Sequence, residues 1–332
     1  MGQLAILVPV YQREHGALRA VRSVLSQAGR HLDQGSLTIH VRDDASPSID
    51  AERFRSACHA LDPRIAVDIN PSNLGMSANI RLMVSQCTAA FCTILTDDDW
   101  FEPGSIDLVI DTIHGLDRSC PEQVVASVFC PRYSYTEAGQ LAGISCRIAT
   151  GDKVMLPSPL SAMEIADEGY ILTGLFFRPG LVDQAFWGRH QENAFFPILY
   201  FASLLIRGSC LYLDQPLVHH TVFNHCHWQA WGNTVVQQQQ RLCRDFLLAI
   251  RLVHCYLRPH CGSLAVRLSL WPAAVRAYRD RLVEMRMRVW DAPMRCIPWR
   301  LWLDPLFLVA FCAYVYFMAR TGRGEVRSPQ PS

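Results

Sequence analysis

The chain has 332 residues, half of them hydrophobic, with 31 basic and 30 acidic side chains and a formal net charge of +1. This length suits one large α/β domain with an appendage, and this apolar content supports a sizeable core and excludes wholesale disorder. Near-neutral charge argues against a dedicated nucleic-acid binder.

Leu4–Val10 is a short apolar run of the kind that forms a buried parallel strand. Leu18, Val21, Val24 and Leu25 follow at helical spacing, and residues 37–41 form a second strand that runs into Asp43 and Asp44. A helix over Ala51–Leu61, a strand over 65–69, a helix over 77–87 and a fourth strand over 91–95 complete the pattern, and the last strand delivers Thr96-Asp97-Asp98-Asp99. This βαβαβαβ alternation predicts a doubly wound, mostly parallel α/β sheet of Rossmann-like type. Ligands of such sheets bind beyond the carboxyl ends of the strands. Pro9 and Tyr11, Asp43 and Asp44, and Asp97 to Asp99 all fall at those ends.

After Pro103 a helix over 105–116 leads to mixed strands over 124–135 and 140–148, then to a Pro- and Gly-rich loop over 151–159. Residues 194–207 read as an amphipathic helix, followed by a strand over 210–213 and a turn at Asp214-Gln215-Pro216. From Val235 the sequence predicts long arginine-rich helices broken at Pro259, Pro272, Pro293 and Pro298. Arginines outnumber acidic residues more than two to one from Asn233 onward, and Lys153 is the only lysine in the chain. The expected organisation is a catalytic domain over 1–232, an arginine-rich helical extension over 233–322 with membrane contact, and a disordered tail over 323–332.

Residues 306–319 are nearly all apolar but fall short of the roughly 20 residues that cross a bilayer. A buried terminal helix and an interfacial anchor both fit, and Trp299, Trp302 and the upstream arginines favour the membrane surface. Thirteen cysteines, an odd number without a C-x-x-C pair, predict reduced and mostly buried thiols. The first strand starts so near Met1 that no targeting segment is expected, which implies a cytoplasmic protein, and the arginine-rich helices add the inner face of the cell membrane as an option.

Three adjacent carboxylates at a strand end repel one another unless a cation or hydrogen-bond donors offset them. Such a platform can hold Mg²⁺ or Mn²⁺ against a diphosphate, although a solvated turn capping the next helix has the same composition. The neighbouring motifs decide between these. A strand followed by Pro9-Val10-Tyr11-Gln12-Arg13-Glu14, a strand ending in Asp43-Asp44-Ala45-Ser46, the turn Asn73-Leu74-Gly75 before a helix, and the acidic run with Pro103 beyond it occur in order. Together they resemble family 2 glycosyltransferases of the GT-A fold, the large group that builds bacterial surface polysaccharides and related glycans. The resemblance is strong over residues 4–103 and weak over 171–220.

The resemblance implies a metal-dependent, inverting transfer of sugar from a nucleotide-sugar donor to a glycan or lipid-linked acceptor in polysaccharide biosynthesis. Pro9, Tyr11 and Glu14 would line the base and ribose pocket, Asp44 would hydrogen-bond base or ribose, and Asn73 would shape the same wall. Asp97 would contact ribose or sugar, Asp98 would be the metal ligand, and Asp99 would orient the sugar or the loop. The chain departs from the pattern where Gln12 replaces an asparagine, where Thr96 stands at the first position of D-x-D, and where Phe196 and Pro197 replace the carboxylate pair that supplies the catalytic base in many relatives. Glu192 is the nearest upstream carboxylate and becomes the candidate base, with Asp183 next. His219, His220, His225 and His227 cluster before Trp228 and Trp231, so His225 or His227 could complete the metal site, and the tryptophans would suit stacking on a sugar ring, although tryptophans more often pack cores. A nucleotidyltransferase is disfavoured because residues 11–15 are not a glycine-rich phosphate loop, and a non-catalytic binding module is favoured only by the absent carboxylate pair.

Overall fold

The computed structural model describes residues 3–119, 124–136, 139–221, 235–288 and 303–320. Strands β1 (Leu4–Val10), β2 (Leu37–Asp43), β3 (Ala66–Ile69) and β4 (Phe91–Ile94) run parallel in the spatial order β3-β2-β1-β4. They are connected through α1 (Glu14–Asp33), α2 (Ala51–Leu61) and α3 (Met76–Gln86). Strand β1 is apolar at successive positions because both faces of the sheet are covered. Leu4, Ile6 and Val8 pack with α1 and with α4 (Ser105–Ser119), whereas Ala5 and Leu7 face the core that holds Ile80 and Val84 of α3.

Beyond β4 lie β5 (Trp100–Phe101), β6 (Val125–Phe129), β7 (Arg132–Tyr135), β8 (Leu141–Ser145), β9 (Lys153–Met155), β10 (Leu175–Phe177), β11 (Ser209–Tyr212) and β12 (Val218–Thr221). The large sheet continues as β4-β10-β6-β11-β9, with β10 antiparallel to both neighbours and β6 parallel to β11. A smaller sheet, β5-β12-β7-β8, is built from the strand that follows the acidic run and the segments after it. The sheet is therefore mostly parallel, as expected, with antiparallel insertions the alternation did not reveal.

The other described helices are α5 (Pro159–Ile165), α6 (Gln184–Arg189), α7 (Phe196–Leu205), α8 (Val235–Leu257), α9 (Leu264–Arg288) and α10 (Pro305–Arg320). Three local expectations change. The helix read as amphipathic over 194–207 is α7, and all of its residues are buried, because an all-round apolar helix belongs in a core. Pro272 lies inside α9 rather than ending it. The loop over 151–159 contains β9, which pairs with β11.

The arginine-rich helices turn apolar residues towards the sheet. Leu247, Ile250 and Val253 of α8, Leu270 and Tyr278 of α9, and Phe307 and Ala310 of α10 share one continuous core with α5 and α7. Leu308 and Val309 of α10 face outward. No helix among the described residues is long and apolar enough to cross a membrane. Cys58, Cys92, Cys130, Cys146, Cys210 and Cys261 are buried free thiols, and burial pushes Cys58 up to about 11.

Candidate active site

The order β3-β2-β1-β4 opens a crevice at the carboxyl ends of β1 and β4, where connections leave in opposite directions. A cavity of about 610 Å³ sits there, with Gln12, Arg13, Glu14, Arg19, Asp97 and Asp98 in its wall. The chain leaves β1 through Gln12, whose φ of +62° is in the left-handed region that favours glycine and asparagine. That preference accounts for the asparagine of the motif that Gln12 replaces. Gln12 N–H donates to Ser46 Oγ at 2.7 Å, and Ser46 in turn donates from N–H to Asp43 Oδ2 at 3.0 Å and from its hydroxyl to Asp43. The loops after β1 and β2 are thus locked to each other.

Helix α1 then docks directly on the acidic run. A Cβ on Gly16 would lie 2.1 Å from the carbonyl oxygen of Asp97, less than any real contact, so only glycine permits this approach. Gly16→Ala is expected to cost about 1–3 kcal/mol through forced displacement of the helix. Denaturant unfolding measures it, and unchanged stability would show that α1 need not touch Asp97.

One turn away on either side, two arginines grip the same segment. Arg13 Nη1 lies 3.1 Å from Asp97 Oδ1 and 3.1 Å from Asp98 Oδ2. Arg19 Nη2 donates to the Asp98 carbonyl at 2.6 Å, and its guanidinium lies 4.6 Å from the centre of the Trp100 ring. Thr221 Oγ1 donates to that carbonyl too, at 3.2 Å. The backbone of Asp98 is held from two sides while its carboxylate faces the cavity.

Asp99 turns the opposite way and is fully buried. Its Oδ2 accepts from Thr96 Oγ1 at 2.7 Å and from the Thr173 hydroxyl, and its Oδ1 faces His220 Nδ1 at 3.2 Å and Thr221 N at 3.4 Å. These contacts tie the end of β4 to the segment before β10 and to β12. His219 stacks on Trp100 with ring centres 5.0 Å apart and contacts Glu102.

Asp44, which follows β2, is also buried. Its carboxylate accepts from Leu74 N and Asn70 Nδ2, each at 2.8 Å, and from Gly75 N at 2.9 Å. Asn73 Oδ1 accepts from Gly75 N at 2.8 Å, closing the turn whose Gly75 takes φ +84°. These two side chains therefore hold the backbone of residues 73–75. Glu14 pairs with Arg53 of α2, Tyr11 is exposed, and Pro9 lies within β1 opposite Arg42.

Glu192 lies on an exposed turn between α6 and α7, outside the cavity wall. Phe196 and Pro197 are buried in the core, so α7 begins without a carboxylate of its own, and Asp245 of α8 accepts from Ala194 N at 3.2 Å just before it. Asp183 caps α6 and pairs with Arg207 at 2.9 Å. His225, His227, Trp228 and Trp231 lie outside the described residues. Sequence reasoning gave no role to Arg13, Gly16, Arg19 and Thr173, and named His220 only as a member of the histidine cluster. The first three follow a spacing of three along one face of α1, a signal present in the sequence once the acidic run is known to lie opposite.

Residues 5–155 match the profile of Glycosyl transferase family 2. No curated protein matches the chain significantly. Among solved structures, Staphylococcus aureus TarS 1-349 is similar at 16% identity, TM-score 0.49, covering 95% of this chain and 88% of that one. TarS 1-349 in complex with UDP-GlcNAc aligns at 15% identity and TM-score 0.46, with coverages of 95% and 88%. The mannosyltransferase PcManGT from Pyrobaculum calidifontis, in complex with GDP-Man and Mn²⁺, aligns at 13% identity and TM-score 0.43, with coverages of 95% and 87%. The four ordered motifs at the strand ends all lie within this matched segment, so residues 5–155 form a Glycosyl transferase family 2 domain on a mostly parallel α/β sheet.

Proposed function

We propose that the protein moves one sugar from a nucleotide-sugar to a glycan or lipid-linked acceptor in polysaccharide biosynthesis, with inversion at the anomeric carbon and a divalent cation at Asp98. The observation that carries this reading is the convergence of Asp97 Oδ1 and Asp98 Oδ2 on a single cation, the Arg13 guanidinium, at the β1/β4 crevice. A seat that holds one cation with two carboxylates fits Mg²⁺ or Mn²⁺, which take one or two carboxylates and complete their shell with phosphate and water oxygens. Among the described residues no group of three or more His, Cys, Asp or Glu side chains is placed to hold a metal. The diphosphate itself, or His225, would therefore supply the remaining ligands. When bound, the ion neutralises charge developing on the departing diphosphate.

The chain's own residues do the rest. The Asp44-held turn at Asn73, with Pro9, Tyr11 and Glu14, forms the base and ribose side, and Asp97 faces ribose or sugar. Glu192 is the base of this reading: α6 lies beside the nucleotide wall, where Trp187 Nε1 donates to Ser77 Oγ at 2.9 Å, and the exposed turn after it can present a carboxylate to an acceptor. The outward Leu308 and Val309 of α10 and the exposed Arg267 of α9 suit contact with an anionic membrane surface, where a lipid-linked acceptor would lie.

A panel of nucleotide-sugars, each with Mg²⁺ or Mn²⁺, tests the donor assignment by thermal melting. The cognate donor should raise the melting temperature in a metal-dependent way, because a ligand bound to the native state stabilises it by mass action. A flat response across the panel would sink the reading. Glu192→Gln is expected to lower kcat about a hundredfold with donor affinity unchanged. Full activity in that variant would remove Glu192 from the mechanism.

A further inference from the structure

Arg13 is placed where the proposed metal would go. Its Nη1 atom is equidistant, at 3.1 Å, from Asp97 Oδ1 and Asp98 Oδ2, and the three side chains are only 15%, 6% and 12% exposed. Two neighbouring carboxylates so far removed from water repel each other strongly, and a counter-cation is required to hold both ionised. We infer that Arg13 is that resident cation, and that a diphosphate must draw its guanidinium off Asp97 and Asp98 before a divalent ion enters. This rests on the donor and metal reading above.

Three features support a moving side chain on a fixed backbone. The backbone around Arg13 is anchored, since Gln12 N–H is bonded to Ser46 and the Arg13 carbonyl accepts Ala17 N–H at 3.0 Å. The side chain lines the cavity in which a diphosphate would lie, so its planar fork of donors can exchange carboxylate oxygens for phosphate oxygens without moving the helix. Arg19, the other arginine in that wall, is committed to the Asp98 carbonyl and the face of Trp100. A guanidinium and a divalent ion cannot share one pair of oxygens, since like charges at that separation repel. Metal and diphosphate therefore bind with positive coupling through Arg13, and by linkage the coupling is reciprocal.

The test uses the full chain, Arg13→Gln and Arg13→Lys, with two probes measured separately: Mn²⁺ alone by electron paramagnetic resonance, and metal-free inorganic pyrophosphate by calorimetry. Arg13→Gln should bind Mn²⁺ on the order of tenfold more tightly than wild type, and pyrophosphate on the order of tenfold more weakly. Arg13→Lys should lie between, because lysine keeps a positive charge but is shorter and lacks the planar fork that grips phosphate oxygens. Opposite signs for the two probes cannot arise from general damage to the fold. If Arg13→Gln does not fold, the intermediate shifts of Arg13→Lys carry the same comparison. Wild type and variants with equal Mn²⁺ affinity would overturn the inference and leave the metal reading standing. Absence of Mn²⁺ binding in every protein, with or without pyrophosphate, would overturn both.

Discussion

Asp98→Asn is expected to lower kcat/KM for sugar transfer about a thousandfold while leaving the melting temperature within a few degrees of wild type. The asparagine keeps the shape of the side chain and removes the charge that faces the cavity. The backbone should stay in place, because Arg19 and Thr221 hold Asp98 through its carbonyl oxygen, which the substitution does not alter. Stability should change little for a second reason. Arg13 retains Asp97 as a partner, and the loss of one ion-pair contact is offset by relief of repulsion between adjacent carboxylates. Initial rates with the cognate donor, beside a thermal melt, check both halves. More than a tenth of wild-type activity in Asp98→Asn would mean that the carboxylate facing the crevice is not the one that matters.

The separation of Asp98 from Asp99 was only partly legible in the sequence. Adjacent aspartates look identical in a string, and the resemblance alone ranked Asp98 as the metal ligand and Asp99 as the orienting residue. Their side chains part company because the segment turns after β4, with Asp99 N–H bonded to the Thr96 carbonyl at 3.1 Å. That turn points Asp98 at α1 and Asp99 into the seam between the sheets. Strands β1 and β4 were legible as apolar runs covered on both faces, and β2 as an alternation whose apolar positions are the buried ones, whereas β3 is a partly exposed edge strand. Strand β10 was not, since an antiparallel insertion such as Leu175–Phe177 leaves no mark in composition. Helix α7 was misjudged for a related reason: periodicity shows an apolar face, but only the surrounding helices decide whether the opposite face meets water. Gly16 and Arg13 carry no signal until the acidic run is known to sit opposite them, which is a fact of topology and not of local sequence.

Asp99→Ala is expected to lower the free energy of unfolding by about 3 kcal/mol, the largest stability effect of any substitution proposed for the site. Four groups aim at this one carboxylate: the hydroxyls of Thr96 and Thr173, the His220 ring and the Thr221 amide. They come from the end of β4, the segment before β10 and strand β12, so the carboxylate joins the large sheet to the small one. Removing it strands buried donors without an acceptor, and each such donor costs more than the net value of the bond it made. Thr173→Val, which deletes one hydroxyl and preserves shape, should cost about 1 kcal/mol by the same reasoning. Urea unfolding of both variants measures the difference, and equal midpoints for Asp99→Ala and wild type would refute the strut. The comparison with Asp98→Asn then separates two kinds of carboxylate one residue apart. If the acidic run works as its geometry indicates, the charge that faces the crevice can be removed without unfolding the protein, whereas the one behind it cannot, because the position of Asp98 depends on Asp99 holding the turn.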